Sequence, residues 1–397
     1  MTAFIKKKIK ILRLVTSLDP KYGGPRNGIL SSNDQLIKKG FKVDIATCDK
    51  KNIISKELKS VKIINFKSYI GKKYRFSLML FFWLYKKRKE YDFFIIHGLW
   101  QFNSLAARLL LTNKKYFIFT HGQLDPFFSL NLYKRLKKKI YWYLIEKKNL
   151  LNSTGILLTS EGERNNLKKT YVNTDEISKN LIKYGILKRK LNYQKCKNVF
   201  KSKFPSLYNQ KFYLFLGRYH EKKGCEIIIN SIIKIRKNFK SKILFAGHAE
   251  DARYLKSLKK LVEDNNLKNI IFFSDAIYDH LKWGAILSSR ASILASHGEN
   301  FGISIAESLS QSKPVLISNK VNIFKTIDRY KAGLIASDTT LSFSKKLLQF
   351  EKLGIRELNK MSKNASKCFE DNFDVSSNTN SLSNFLIKEF NKKYGNS

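Results

Sequence analysis

Short runs of β-branched and aromatic residues alternate with longer stretches of helical period along most of the chain, the pattern of parallel sheets crossed by helices. In the first half the pattern predicts strands near Ile9–Val15, Lys42–Thr47, Val61–Phe66, Asp92–His97, Tyr116–Thr120, Gly155–Thr159 and Asn180–Tyr184. Helical patterns fill the intervals, among them Asn27–Lys39, Ser77–Lys89 and Tyr133–Leu151. A polar, basic stretch from Lys188 to Ser206, closing on Pro205, interrupts the rhythm and reads as a linker. The alternation restarts with strands Phe212–Gly217, Lys242–Gly247, Asn269–Ser274, Ala291–Ser296 and Lys313–Ser318. After Ser337 the pattern is helical, over Thr340–Lys352, Glu357–Glu370 and Ser376–Lys392. The fold class that follows is α/β, with two doubly wound, Rossmann-like domains at 1–195 and 205–375. A terminal helix over 376–397 is placed to pack across their junction.

Composition changes this picture little, but charge adds a question. The 397 residues include 76 Lys+Arg against 31 Asp+Glu, a formal net charge of +45, with 43% hydrophobic residues. Apolar residues this plentiful and this evenly spread exclude disorder for most of the chain. The uncharged apolar run Ser77–Tyr85 is about half of the roughly 20 residues a spanning helix needs. The amino-terminal apolar run is broken by Lys10 and Arg13 and carries no small-residue cleavage site, so cytoplasmic residence is the expectation. Cys48, Cys196, Cys225 and Cys368 stand too far apart for a metal or redox pair and read as structural thiols. Residues 1–200 hold 43 basic and 13 acidic side chains against 33 and 18 in the remainder, so the first half carries twice the excess. Part of that excess is lysine-rich background.

In doubly wound sheets ligands sit beyond the carboxyl ends of the strands, which makes the residues just after each strand the informative ones. After the first strand, Gly23 and Gly24 precede a helix starting near Pro25 or Arg26, where close backbone approach and free N–H groups suit phosphate or a hydroxyl. A tight turn that needs glycine explains the same pair. His97 and His121 each follow a strand and precede a glycine, a placement suited to touching a ligand. In FLGRYHEKKG, Arg218 emerges next to Gly217 and Lys223 stands before Gly224 and a helix. A planar fork and a compact charge together form a diphosphate clamp. The most specific segment is SHGENFGISIAESLSQSKPVLIS. A helix from Gly302 or Ile303 buries Ile305 and Leu309 and turns Glu307 toward the loop that carries Glu299. A carboxylate there accepts the hydroxyls of a vicinal diol, while the N–H groups of Phe301, Gly302 and Ile303 meet phosphate. An acidic helix start explains either glutamate alone, but not both with the glycine between them.

With these residues in hand, the chain resembles the retaining glycosyltransferases of family 4, known also as glycosyl transferases group 1, which have the GT-B fold. The resemblance rests on the GGP loop, THG with His121, TSEGE at Thr159–Glu163, GRYHEKKG, FAGHAED, and the E-x7-E array from Glu299 to Glu307 followed by KPVLIS. In place of the Asn-Gly turn usual near the first domain's end stands IKYGIL, with Tyr184 before Gly185. The resemblance implies two domains facing a cleft that holds a nucleotide-diphosphate sugar. Arg218 and Lys223 would stabilise the diphosphate as leaving group, and Glu307 would hold the ribose diol. Glu299 with the Phe301–Ile303 backbone would hold sugar hydroxyls and the distal phosphate. His121 would touch the sugar, and Gly24 would lie near the diphosphate or the acceptor. It also implies transfer of a hexosyl unit with retention, no cofactor and no metal. The acceptor would be a glycan or a lipid-linked acceptor in surface polysaccharide or lipopolysaccharide assembly.

Two other readings remain open at this point. A GT-B sugar-nucleotide epimerase would bind the same donor without an acceptor. A basic nucleic-acid-binding protein is suggested by the charge, although no RRM, KH or zinc pattern supports a specific nucleic-acid partner. The basic segments Asn131–Lys148 and Leu84–Lys89 further point to an anionic membrane surface as partner, with the enzyme peripheral on the inner face of the cell membrane. The alternative for Asn131–Lys148 is a solvated basic face above a buried side of Ile140, Trp142 and Leu144.

Overall fold

The computed structural model describes residues 8–19, 24–49, 61–69, 71, 74–112, 114–124, 132–167, 174–183, 185–375 and 380–394. The chain divides into two compact units, Met1–Gly185 with Asn378–Ser397, and Ile186–Ser377.

In the first unit the elements run β1 (Lys10–Val15), α1 (Gly24–Lys38), β2 (Lys42–Thr47), β3 (Lys62–Asn65), α2 (Leu78–Lys87), β4 (Phe93–His97) and α3 (Phe102–Leu110). They continue with β5 (Tyr116–Phe119), α4 (Leu132–Tyr141), α5 (Lys147–Asn152), β6 (Gly155–Leu158), α6 (Glu161–Leu167) and β7 (Lys179–Leu181). All strand pairs are parallel, in the order β3-β2-β1-β4-β5-β6-β7. The central strands β4, β5 and β6 are almost wholly apolar because both of their faces are covered. Leu12, Leu14, Phe94, Ile96, Tyr116 and Ile118 face one core with α2, α3 and α5, while Ile11, Phe93, Ile95, Phe117 and Phe119 face the other. The second core is closed by the last helix, Asn380–Tyr394, through Leu382 and Leu386, and Lys115 Nζ donates to the Glu389 carbonyl at 2.5 Å. The terminal helix expected to pack across a junction is thus a layer of the first unit. Each large apolar side chain fully buried in this way contributes about 1.5–3 kcal/mol.

Between α4 and α5 the helix makes a π turn over Trp142–Glu146. Trp142, Glu146, Asn149 and Leu150 face inward, whereas Ile140 and Leu144 are exposed. This corrects the expected buried side of Ile140, Trp142 and Leu144. Glu146 accepts from the Trp100 N–H and the Ser104 hydroxyl, both at 2.6 Å, and that buried polar anchor selects the inward face in place of the apolar stripe.

The second unit opens with α7 (Tyr193–Lys203) and α8 (Pro205–Tyr208), followed by β8 (Phe212–Leu216), α9 (Cys225–Ile235), β9 (Lys242–Ala246), α10 (Ala252–Asp264) and β10 (Ile271–Ser274). Then come α11 (Asp279–Ser288), β11 (Ala291–Leu294), α12 (Ile303–Ser310), β12 (Val315–Ser318), α13 (Phe324–Arg329), β13 (Gly333–Ala336), α14 (Thr340–Glu351) and α15 (Ile355–Asn372). The parallel order is β10-β9-β8-β11-β12-β13. The segment read as a linker is therefore largely helix. Asn192 caps α7 by accepting from the Lys195 N–H, and Cys196 and Phe200 enter the core against α11, where Gly284 lets the two helices approach. Its apolar stripe is only two residues wide among lysines, too thin for periodicity to reveal. The edge strand β13 adds to the strands that the pattern predicts; four residues that open on a glycine give too short a signal. All four cysteines are buried and free, and burial pushes the Cys48 and Cys368 thiols up to about 12.

Candidate active site

In each sheet the strand order reverses once, between β1 and β4 in the first unit and between β8 and β11 in the second. Such switch points are where the loops diverge and leave a crevice for a ligand.

At the second unit's switch point, β8 delivers Gly217 and Arg218, and β11 delivers the loop from Ser296 to Gly302. The backbones of β8 and β9 approach so closely beyond their ends that a Cβ on Gly247 would lie 1.8 Å from the Gly217 carbonyl oxygen. Tyr219 turns inward, its hydroxyl donating to the Ser274 and Phe245 carbonyls at 2.7 and 3.0 Å, so its neighbour Arg218 points outward. The Arg218 guanidinium is half-exposed and pairs with Glu250. A single 3-10 turn, Glu221–Lys223, follows, capped by His220 Nδ1, which accepts from the Lys222 N–H at 3.0 Å. Gly224, left-handed at φ 64°, ends that turn and starts α9. The Lys222 carbonyl accepts from the Ser296 hydroxyl at 2.7 Å and the His297 N–H at 2.9 Å, which stitches this turn to the β11 loop.

That stitching brings Lys223 Nζ onto the Glu299 carboxylate, both largely buried. Burial alone would raise the Glu299 pKa, but the Lys223 ammonium, with Lys222 and Arg218 behind it, outweighs burial and holds it below the usual carboxylate range. Glu299 is therefore an acceptor only. The Glu299 backbone is fixed against the loop after β12, its N–H donating to Lys320 at 3.0 Å and its carbonyl accepting from Asn322 at 2.9 Å. Gly302, at φ 70°, is the N-cap of α12. Ile305 and Leu309 are buried, as their spacing predicts. Glu307 is 8% exposed, and its Oε1 accepts from Lys282 Nζ at 2.7 Å.

In the first unit, His97 ends β4 and His121 follows β5 at φ 48°. His97 Nδ1 lies 3.0 Å from His121 Nε2, and both rings stack on Phe119 at 5.3 and 5.5 Å between centroids. Burial and then the nearby Arg13 guanidinium push both pKa values down, that of His121 to about 4 and that of His97 well below its ordinary value. The buried Glu163 holds the loop. It accepts from the Thr120 hydroxyl (2.6 Å), the Gly122 N–H (2.7 Å) and the Thr159 N–H (2.8 Å), which holds the two residues that flank His121. Asp49, after β2, orders the residues after β1 by accepting from the Leu18 N–H at 2.8 Å and from the Ser17 hydroxyl.

The structure thus brings Lys223 together with Glu299, and His97 with His121. Arg218, Phe301, Gly302, Ile303 and Glu307 stand on the loops and helix start around the second switch point. Gly24 begins α1; Gly23 and Tyr184 lie outside the described residues. Lys282, Glu250 and Glu163 were not singled out from sequence. Glu250 follows β9 in the segment after FAG, so the strand-end rule was able to find it. Nothing distinguishes Lys282 from the other lysines before the fold pairs it with Glu307. Among the described residues no group of three or more His, Cys, Asp or Glu side chains is placed to hold a metal ion.

The histidine pair makes stability depend on pH. In the unfolded chain both rings titrate near about 6.5, whereas in the fold they do so far lower, so the unfolded state binds more protons between about 6.5 and 4 and stability falls as pH drops through that window. Thermal melts across this range are expected to show a declining Tm, with a flatter profile for the variant His97→Gln/His121→Gln; parallel profiles would place the effect elsewhere.

The chain matches two family models, Glycosyltransferase Family 4 over residues 22–178 and Glycosyl transferases group 1 over residues 197–368. It is 24% identical over 151 residues to the alpha-1,3/1,6-mannosyltransferase ALG2 of Dictyostelium discoideum, a match that spans 34% of this chain and 36% of that relative's length. Among solved structures it is similar to sucrose-phosphate synthase from Thermosynechococcus elongatus, with a TM-score of 0.77 at 16% identity over 96% of this chain and 99% of that one. It is also similar to the Anabaena protein HepE in complex with UDP-glucose, with a TM-score of 0.76 at 14% identity over 96% of this chain and 100% of that one.

Proposed function

We propose, given that this chain belongs to the glycosyltransferases of the GT-B fold, that it moves a hexosyl unit from a nucleotide-diphosphate sugar to a glycan or lipid-linked acceptor, with retention at the anomeric carbon and without a metal. The observation that carries this reading is the set of cations and carboxylates converging on the second switch point. Arg218 and Lys223 stand where a diphosphate would meet the chain, each already paired with a carboxylate that an incoming anion can displace or share.

The chemistry is electrostatic. As the glycosidic bond breaks, negative charge grows on the leaving diphosphate, and fixed cations there stabilise the transition state more than the ground state. Arg218 supplies a fork to two oxygens and Lys223 a point charge, the work a divalent ion does in other transferases. Glu299, kept ionised by Lys223, accepts hydroxyl protons of the sugar. Glu307, one oxygen held by Lys282, accepts from the ribose. His121 is neutral and serves as a hydrogen-bonding partner for the sugar. The setting we assign is the cytoplasm, in surface polysaccharide or lipopolysaccharide assembly. The bound UDP-glucose of the Anabaena protein and the mannosyl transfer in the name of ALG2 both support a hexosyl donor.

A thermal-shift screen against a panel of sugar nucleotides tests this, because a ligand at a hundred times its Kd adds about 2.7 kcal/mol to the native state. One sugar nucleotide is expected to raise the Tm and then to yield a glycosylated acceptor. No shift across the panel would overturn the reading, and free epimerised sugar without transfer would replace it with an epimerase.

A further inference from the structure

Two residues before Glu299, the side chain of His297 leaves the loop after β11 and reaches two other elements of the second unit. Its Nδ1 lies 3.0 Å from Asp338 Oδ2, in the loop between β13 and α14, and its Nε2 lies 3.5 Å from Glu226 Oε1, in the first turn of α9. An ionised carboxylate only accepts, so on the shorter contact Nδ1–H donates to Asp338. Through its other oxygen Glu226 accepts from the Tyr254 hydroxyl of α10. One partly buried imidazole therefore gathers α9, α10, the β11 loop and the loop after β13 at the carboxyl end of the sheet.

An acidic helix start accounts for Glu226 by itself, and a polar residue beside a helix cap accounts for Asp338 by itself. Neither accounts for a ring seated between them. The segments that this ring joins are the two that carry the candidate site. Lys223 and Glu299 tie them together inside it, and at their bases the Lys222 carbonyl accepts from the Ser296 hydroxyl and the His297 N–H. The contact of His297 with Glu226 ties them again, behind the ion pair. A diphosphate that draws Lys223 to itself loosens the first tie, and the second holds only the base of the loop. The imidazole is the side-chain tie that this exchange of partners leaves in place. We propose that His297 is a positioning residue for transfer. It braces the β11 loop against α9 and the loop after β13, so that Glu299 and Lys223 keep their places while the leaving diphosphate separates them. The assignment rests on the donor reading above, whereas the brace itself is a property of the chain without any donor.

Hydrogen exchange of the full chain without donor and kinetics with it test the two parts separately. In His297→Leu the amides of His297, Glu299 and Asn322, which donate to Lys222, Lys320 and Glu299, are expected to exchange about tenfold faster or more. The position is partly exposed, so the Tm should stay near that of the unaltered chain. With the donor found by thermal shift, kcat is expected to fall about tenfold or more while KM for the donor hardly moves, because the brace acts as Lys223 follows the leaving group. His297→Asn keeps an N–H donor at the place of Nδ1, within reach of Asp338, and should recover most of the protection and most of the rate. Asp338→Leu should behave as His297→Leu does. Unchanged exchange in His297→Leu would overturn the brace whatever the chain transfers. A raised KM with kcat intact, or no recovery in His297→Asn, would overturn the positioning role. A parent chain that gives no thermal shift with any sugar nucleotide fails the functional reading instead, and the exchange comparison then decides the brace alone.

Discussion

Arg218→Ala is expected to lower kcat about 10²- to 10³-fold while leaving the Tm nearly unchanged. The two halves of that expectation come from different environments of one side chain. In the fold, Arg218 is half-exposed and its partner Glu250 is partly exposed too, and a pair of that kind is worth about 0–1 kcal/mol to stability. At the reaction, a donor aimed at the position where leaving-group charge develops is worth about 3–4 kcal/mol of transition-state energy. The loss should fall on kcat as well as kcat/KM, since the interaction strengthens as the diphosphate leaves. Arg218→Lys should recover part of the rate, because it keeps the charge but not the fork. Glu307→Gln, which keeps the volume beside Lys282 but removes the charge, is expected to raise KM for the donor. Steady-state kinetics with the donor found by thermal shift decides, and full activity in Arg218→Ala would remove this residue from the assignment.

Gly224→Ala is expected to be the most damaging single substitution in the second unit. A side chain at φ 64° costs about 1–2 kcal/mol by itself. Its Cβ would also lie 2.1 Å from the carbonyl oxygen of Ala295, the fully buried residue that follows β11, where a backbone atom has little room to move. The two effects together are expected to cost more than about 3 kcal/mol, the range reserved for substitutions that break a special backbone position. Any folded fraction should be inactive, because relieving the clash pulls Lys223 away from Glu299. Urea unfolding measures the first effect, with Gly354→Ala as control: that position has negative φ, and its nearest neighbour is the Glu357 carboxylate at 3.7 Å. A loss below about 1 kcal/mol would show that the turn tolerates a side chain.

Much of the placement of the candidate residues was legible in the sequence. The strand-end rule selects Arg218, Lys223 and Glu299 because in a doubly wound sheet the ends of β8 and β11 meet at the reversal of strand order, and the glycines around them are needed for the sharp turns. Gly302 is readable in the sequence as the start of α12, and the structure adds that it is the N-cap, left-handed at φ 70°. The failures have equally local causes. The helix Tyr193–Lys203 reads as a linker in the sequence because lysines outnumber the two residues it buries. Periodicity puts Ile140 and Leu144 inside because an apolar stripe ordinarily faces the core, whereas a buried carboxylate and a π turn rotate this one outward. Glu163 enters the sequence reading only as the last residue of TSEGE, and only the structure reveals that it clamps Thr120 and Gly122 on either side of His121.

The chain by itself determined the fold class, the number of sheets, nearly every strand, and the short list of strand-end residues worth testing. All of these follow from periodicity and local backbone demands, which act within a few residues. What the tertiary structure alone decided is which charges meet. Lys223 finds Glu299 across 76 positions, Arg218 finds Glu250 across 32, and Glu307 finds Lys282 across 25. In a chain with 76 basic side chains, proximity in sequence carries no preference among them, and the order of strands in the sheet makes the choice. The same holds for the excess charge of the first half. Its meaning depends on the apolar side chains that the fold leaves beside it, and that exposure is set by the buried face of each helix rather than by composition.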